Sequence, residues 1–169
     1  TDKLSTPKVT LPKLSGSDEV SSKSQYMIQA DLSAFFDQVP ITEAVQAYSM
    51  FMDGKRKTCL TVLPMGQRQS VFIAQTITET LCNFEHDDVM CEIYIDNIRF
   101  AGNDPDKVRK AMDTFLARCD AVEATVNDRD NIRVTTADDW LGVRYDLRAG
   151  TAACAEKVVR KIDAAKEAL

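Results

Sequence analysis

An α+β fold, with an antiparallel sheet and helices packed on one of its faces, is what this sequence predicts, and three patterns carry the expectation. Apolar runs are joined by short polar turns such as Asp53-Gly54 and Asp96-Asn97, which suit antiparallel neighbours. Between these hairpins lie segments with apolar residues three and four apart, the spacing of one helix face. The 169 residues, 44% of them apolar, suffice for one core and leave little room for a second.

Thr1 to Ser24 is rich in Ser, Thr, Lys and Pro with few apolar residues, and reads as a flexible or loosely docked leader. Tyr26 to Leu32 is a short apolar strand containing Asp31, followed by a compact stretch, Ser33 to Tyr48, with Pro40 in its middle. Tyr48–Met52, Asp53-Gly54 and Thr58–Leu63 form a strand, turn, strand pattern. Ala74, Ile77, Leu81 and Phe84 place one face of a helix over Ser70 to Phe84. Val89–Ile95 and Ile98–Gly102 flank Asp96-Asn97 as a second hairpin. Asp104-Pro105 is an N-cap with proline in the first turn, and Val108, Ala111, Met112, Phe115, Leu116 and Cys119 continue it as an amphipathic helix. Strands at Ile132–Thr136 and Trp140–Leu147 and a helix over Glu156–Leu169 complete the chain. The expected divisions are a leader over 1–25, the main domain over 26–147, and a strand and helix leading out over 148–169.

Inventory excludes several chemistries. No apolar run reaches the roughly 18 residues of a membrane span, so an intracellular protein without a membrane partner is expected, its compartment, nucleus or cytoplasm, left open. The cysteines Cys59, Cys82, Cys91, Cys119 and Cys154 contain no C-x-x-C pair and read as buried free thiols. His86 is the single histidine, which removes histidine triads and multi-histidine metal sites. A net charge of −5 disfavours a free-standing nucleic-acid binder, unless Lys55, Arg56 and Lys57, or Arg99, make a local basic patch. Chemistry therefore falls to carboxylates.

Asp31, in MIQADLSAFFDQVPI, and Asp96, in EIYIDNIRFAG, are each set in strand-like apolar sequence. A charge there is costly to bury without a partner, and a divalent cation is one such partner. Taken singly, each aspartate is more often a turn cap than a metal ligand.

The order of the segments resembles the palm motifs of reverse transcriptases. ADLSAFFDQVPI is similar to the family's first catalytic motif, LPMGQRQSVFIAQ to its template and nucleotide-positioning motif, YIDN to its second catalytic motif, and WLGVRYDL to the strand that follows the palm. LPMGQRQSVFIAQ and AEKVVRKIDAA look most like retrotransposons of the Gypsy and DIRS (tyrosine-recombinase) type.

The resemblance implies a polymerase palm that transfers a dNTP to a primer 3′-hydroxyl on an RNA or DNA template with Mg²⁺ or Mn²⁺ as cofactor. It assigns metal ligation to Asp31 and Asp96, with Asn97 beside them in the catalytic motif. Nucleotide contacts fall to Phe36, Gly66, Gln67, Arg68, Ser70 and Gln75, and the primer or template to Tyr94. Each has an ordinary structural alternative: a core ring for Phe36, a turn glycine for Gly66, a helix cap for Ser70, a solvated residue for Gln75, sheet packing for Tyr94.

The family's second catalytic motif commonly reads Tyr-x-Asp-Asp, and Asn97 replaces its last carboxylate. Asparagine still offers an oxygen to a cation. The chain is also expected to lack the family's fingers, thumb and RNase H parts, so that alone it is inactive. Two other functions compete with the catalytic palm: a domesticated, inactive scaffold that binds protein partners, and a palm-like nucleotidyl cyclase. The cyclase ranks last because it lacks a Leu-Pro-x-Gly helix entry.

Overall fold

Two hairpin signals and a strand that returns to pair with one of them organise the central sheet. In the computed structural model, which describes residue 11 and residues 14–167, β1 (Tyr26–Asp31), β4 (Met90–Tyr94) and β5 (Asn97–Gly102) form a three-stranded antiparallel sheet in the order β1-β5-β4. β5, central in that sheet, is the most deeply buried of the three strands. Its alternation puts Ile98 and Phe100 on one face with Ile28 and Ala30, and Asn97, Arg99 and Ala101 on the other with Met27, Gln29 and Asp31.

The first face carries the main core. α3 (Arg68–Leu81) and α4 (Pro105–Ala121) pack on it through Ala74, Leu81, Val108, Met112 and Phe115, as the helical spacing predicts. Asp104 caps α4 by accepting from the backbone N–H of Asp106 at 2.9 Å and of Lys107 at 3.3 Å. α3 begins two residues earlier than expected and ends before Phe84.

The second face is covered by a smaller sheet of β6 (Ala137–Trp140), β7 (Val143–Asp146) and β8 (Thr151–Cys154), together with α1 (Leu14–Ser22). α1 falls within the expected leader: Ser17 is buried, and Val20 packs beside Met27, Trp140 and Tyr145. Residues 1–10, 12–13 and 168–169 lie outside the described residues, so the outer part of the leader and the last turn of the final helix are not compared.

Four local expectations are corrected. Ile132–Thr136 forms no strand; a 3-10 turn, Arg129–Asn131, precedes it, and a single bridge joins Met27 to Thr135. Trp140–Leu147 is not one strand: Trp140 ends β6 and Val143 begins β7, because Leu141 and Gly142 both take positive φ and turn the chain back as a tight hairpin. The ribbon of β2 (Met50–Asp53) and β3 (Arg56–Cys59) turns at Gly54-Lys55, one residue later than Asp53-Gly54, since Gly54 at φ +59° supplies the first turn residue. The β4–β5 hairpin turns at Ile95-Asp96, one residue earlier than expected, and Asn97 begins β5.

Between β1 and the ribbon, a 3-10 turn (Phe35–Gln38) and α2 (Glu43–Gln46) fill the stretch around Pro40. α5 (Glu156–Glu167) follows β8. Cys82 and Cys119 are buried thiols as expected, Cys91 is half-buried, and Cys59 and Cys154 are exposed. Among the described residues no helix is long and apolar enough to cross a membrane.

Candidate active site at the end of the central sheet

Strand register brings the two aspartate motifs to one end of the sheet. Asp31, last in β1, pairs with Asn97, first in β5, and the Leu32 N–H donates to the Asp96 carbonyl at 2.9 Å. Asp31, Asp96 and Asn97 are all half-buried. Asn97 Nδ2 donates to Asp96 Oδ1 at 2.9 Å, which directs that carboxylate towards β5.

Asp31 and Asn97 line an open hollow of about 470 Å³, whose opposite wall is the 127–139 segment with Asn127, Arg133, Asp138 and Asp139. Asn127 is joined to Asp31 twice: its N–H donates to the Asp31 carbonyl at 2.9 Å, and its Nδ2 lies 3.4 Å from Asp31 Oδ2. Sequence reasoning missed Asn127, since nothing near it marks a contact 96 residues away.

The two carboxylates suit a hard cation. Mg²⁺ binds oxygen, keeps several waters, and commonly takes only one or two protein carboxylates with phosphate oxygens beside them. Among the described residues no three His, Cys, Asp or Glu side chains cluster closely enough to cage a metal alone. The backbones of β1 and the β4–β5 hairpin bring Asp31 and Asp96 to the same end of the sheet, and of the two only Asp31 lines the hollow, with Asn97; a cation there would need substrate oxygens and would not be held in a protein-only cage.

The expected nucleotide and primer residues divide. Gly66, Gln67 and Arg68 are exposed at the start of α3. Gly66 has φ +84° with open space where a Cβ would stand, so within this chain its conformation requires glycine while no neighbouring atom does. Gln67 occupies the N-cap position, and Ser70, expected as a cap or a contact, is instead buried in the first turn, 1% exposed. Phe36 is half-buried against the main core. Tyr94 pairs with Asn97 and packs against the second-face cluster.

Gln75 is neither solvated nor open to a ligand. It is 5% exposed, and its Oε1 accepts the Ile95 N–H at 2.7 Å. Its Nε2 donates to Glu79 Oε1 at 2.9 Å.

Arg99, a candidate for a surface basic patch, is buried at 1% exposure. Its guanidinium pairs with Glu92 and lies 5.1 Å from the Trp140 ring centre and 5.0 Å from that of Tyr145. Ser17 Oγ donates to Glu92 Oε1 at 2.6 Å, tying α1 to this cluster. The Tyr145 hydroxyl is pushed up to about 12 by burial and by its bond to Asp18. The basic residues left exposed on the ribbon are Lys55, Arg56 and Lys57.

None of the curated proteins matches this sequence. Solved structures do match it in fold. The foamy viral protease-reverse transcriptase dRH in complex with double-stranded DNA superposes with a TM-score of 0.73 at 17% identity, covering 93% of this chain and 27% of that one. The foamy viral protease-reverse transcriptase with double-stranded DNA gives 0.72 at 17% identity, covering 92% and 32%. The same viral protein with an RNA/DNA hybrid gives 0.67 at 19% identity, covering 87% and 20%. The chain thus spans a third or less of each of these proteins. Residues 3–144, most of the sequence and both aspartate motifs, match the family described as reverse transcriptase (RNA-dependent DNA polymerase), and the chain belongs to that family.

Proposed function

We propose that this chain is the catalytic palm of an RNA-directed DNA polymerase from a retrotransposon of the Gypsy or DIRS type, joining a dNTP to a primer 3′-hydroxyl. The observation that carries this reading is the strand register that sets Asp31 opposite Asn97, with the Leu32 N–H bonded to the Asp96 carbonyl, at one open end of the central sheet. Family membership supports it.

In this reading Asp31 and Asp96 hold divalent cations. Bound there, Mg²⁺ or Mn²⁺ would lower the pKa of the attacking hydroxyl and neutralise charge on the triphosphate. Asn97 orients the Asp96 carboxylate through its 2.9 Å hydrogen bond and adds no charge of its own. Asn127 holds the end of β1 against the 127–139 segment, so Asp31 keeps its place beside the hairpin. Gly66, Gln67 and Arg68 meet the nucleotide at the N-terminus of α3, where free N–H groups and the Arg68 charge favour phosphate. Phe36 lies beneath the sugar and Tyr94 by the primer end. RNA or DNA template-primer and dNTP are the partners.

The test has two arms. Titration of the chain with Mn²⁺ is expected to broaden the amide resonances of Asp31 and Asp96, and Asp31→Ala or Asp96→Ala is expected to abolish that broadening; broadening that persists in both variants would place the ions elsewhere. Primer extension with Mg²⁺ and with Mn²⁺ is expected to be weak with the chain alone, since substrate positioning supplies much of the rate, and efficient with the longer protein. Absence of extension by the longer protein would favour the scaffold reading.

A further inference from the structure

The β4–β5 hairpin holds Asp96 in a turn whose other residue, Ile95, has φ +58°. A β-branched side chain is strongly disfavoured in that left-handed region, so something outside the turn must maintain it. Gln75 is the side chain that reaches it. From inside α3 it accepts the Ile95 N–H at 2.7 Å, and it contacts the Ile93 carbonyl at 3.4 Å through Nε2. Glu79, one turn along the same helix, accepts from Nε2 at 2.9 Å, and so keeps the amide oxygen turned towards Ile95. Gln75 itself is 5% exposed, so its amide is held by these protein partners, while Ile95 is half-buried at the turn.

We propose that Gln75 is a positioning residue: by accepting the Ile95 N–H it holds the strained turn that sets Asp96 beside Asp31, and it does not contact the nucleotide. The inference rests on the metal-dependent reading of the Asp31 and Asp96 site. Glu79 acts one step further back, by fixing the orientation of the Gln75 amide.

Two readouts on the chain separate this proposal from that reading. Hydrogen exchange at the Ile95 amide reports the turn without any metal, and Mn²⁺ broadening at Asp31 and Asp96 reports the site. Under conditions where each variant is folded, Gln75→Leu is expected to speed Ile95 exchange about tenfold. It is also expected to weaken Mn²⁺ by about tenfold, as loss of a supporting hydrogen bond does at metal sites. Gln75→Asn, an amide too short to reach, carries the same expectation should the leucine variant fail to fold. The double variant Gln75→Glu with Glu79→Gln keeps an oxygen for the Ile95 N–H, though it gives up the contact to the Ile93 carbonyl and moves the charge inward, and is expected to return Ile95 exchange towards the unsubstituted rate.

A residue that merely stabilised the fold would lower the melting temperature and leave the Mn²⁺ affinity of the folded chain unchanged. Unchanged Ile95 exchange in Gln75→Leu and Gln75→Asn, or no recovery in the double variant, would overturn the proposal. Absence of Mn²⁺ broadening in the unsubstituted chain would instead overturn the metal-site reading and leave the exchange result to decide the role of Gln75 in the turn.

Discussion

Arg99 and Glu92 form an ion pair across β4 and β5, sealed from water beneath α1 and the β6–β8 sheet, with the guanidinium between the rings of Trp140 and Tyr145. Removing one partner leaves the other as an uncompensated buried charge. Arg99→Ala is therefore expected to cost about 3–5 kcal/mol of stability. The double substitution Arg99→Met with Glu92→Leu is expected to recover most of that loss, because it removes both charges and keeps the volume. Urea denaturation of the three proteins checks both statements.

Asn97→Asp restores a second carboxylate beside Asp96 and is expected to act in opposite directions with and without metal. It replaces the Asn97 donor by a like charge near Asp96 Oδ1, so the metal-free chain loses stability. It also raises the charge facing a cation, and Mn²⁺ affinity is expected to rise by about an order of magnitude, or ~1.4 kcal/mol. Calorimetric titration and thermal melts with and without Mn²⁺ measure the two effects.

His86 stacks 4.5 Å from Phe84 and 5.5 Å from Phe100 between ring centres, and its Nδ1 is buried without a partner. Burial lowers its pKa below the ordinary 6.5, opposed in part by the nearby Cys82 backbone. The unfolded chain thus binds this proton more readily than the folded one. The stabilising contribution is complete above pH 6.5 and declines as the pH falls through that value towards the lowered folded pKa. Stability is expected to be lower at about pH 5.5 than at about pH 7.5, and His86→Phe is expected to flatten that interval. Denaturant midpoints across it, above the carboxylate range, give the comparison.

Two turn glycines are expected to respond differently to alanine. Gly142 has φ +85°, and an added Cβ would stand 3.2 Å from Val158 Cγ2 of α5. Gly54, at φ +59° on the ribbon tip, has open space around it. Gly142→Ala combines backbone strain with crowding and is expected to cost about 2 kcal/mol or more, while Gly54→Ala costs roughly 1 kcal/mol from strain alone. Thermal melts of the two variants decide.

Signals that act within a few residues were legible. The Asp104-Pro105 start of α4 reads directly from the chain because the cap and the N–H groups it satisfies are neighbours. The two hairpin turns read from the sequence, at the ribbon and between β4 and β5, lie within one residue of their observed places. At the ribbon the glycine that tolerates positive φ decides the turn, and at the β4–β5 hairpin the pairing of Asn97 with Asp31 on β1 decides it against the cost of placing Ile95 there. The Trp140–Leu147 stretch looked continuous because Leu141 conceals the tight turn that it forms with Gly142.

The sequence by itself determined the α+β class, the ribbon and β4–β5 hairpins, and the helix that begins within LPMGQRQSVFIAQ, because periodicity, capping and turn chemistry are local properties of the chain. Only the tertiary structure decided what the polar side chains do. Arg99 lies in an alternating strand and would read as a surface charge, yet Glu92, Ser17 and the Trp140 and Tyr145 rings enclose it. Gln75 would read as a nucleotide contact or a solvated residue, yet α3 turns it towards Ile95, 20 residues on. Asn127 reaches Asp31 from 96 residues away. Burial and hydrogen-bond partners depend on which distant segments arrive together, and a buried polar group takes whatever partner the completed fold supplies.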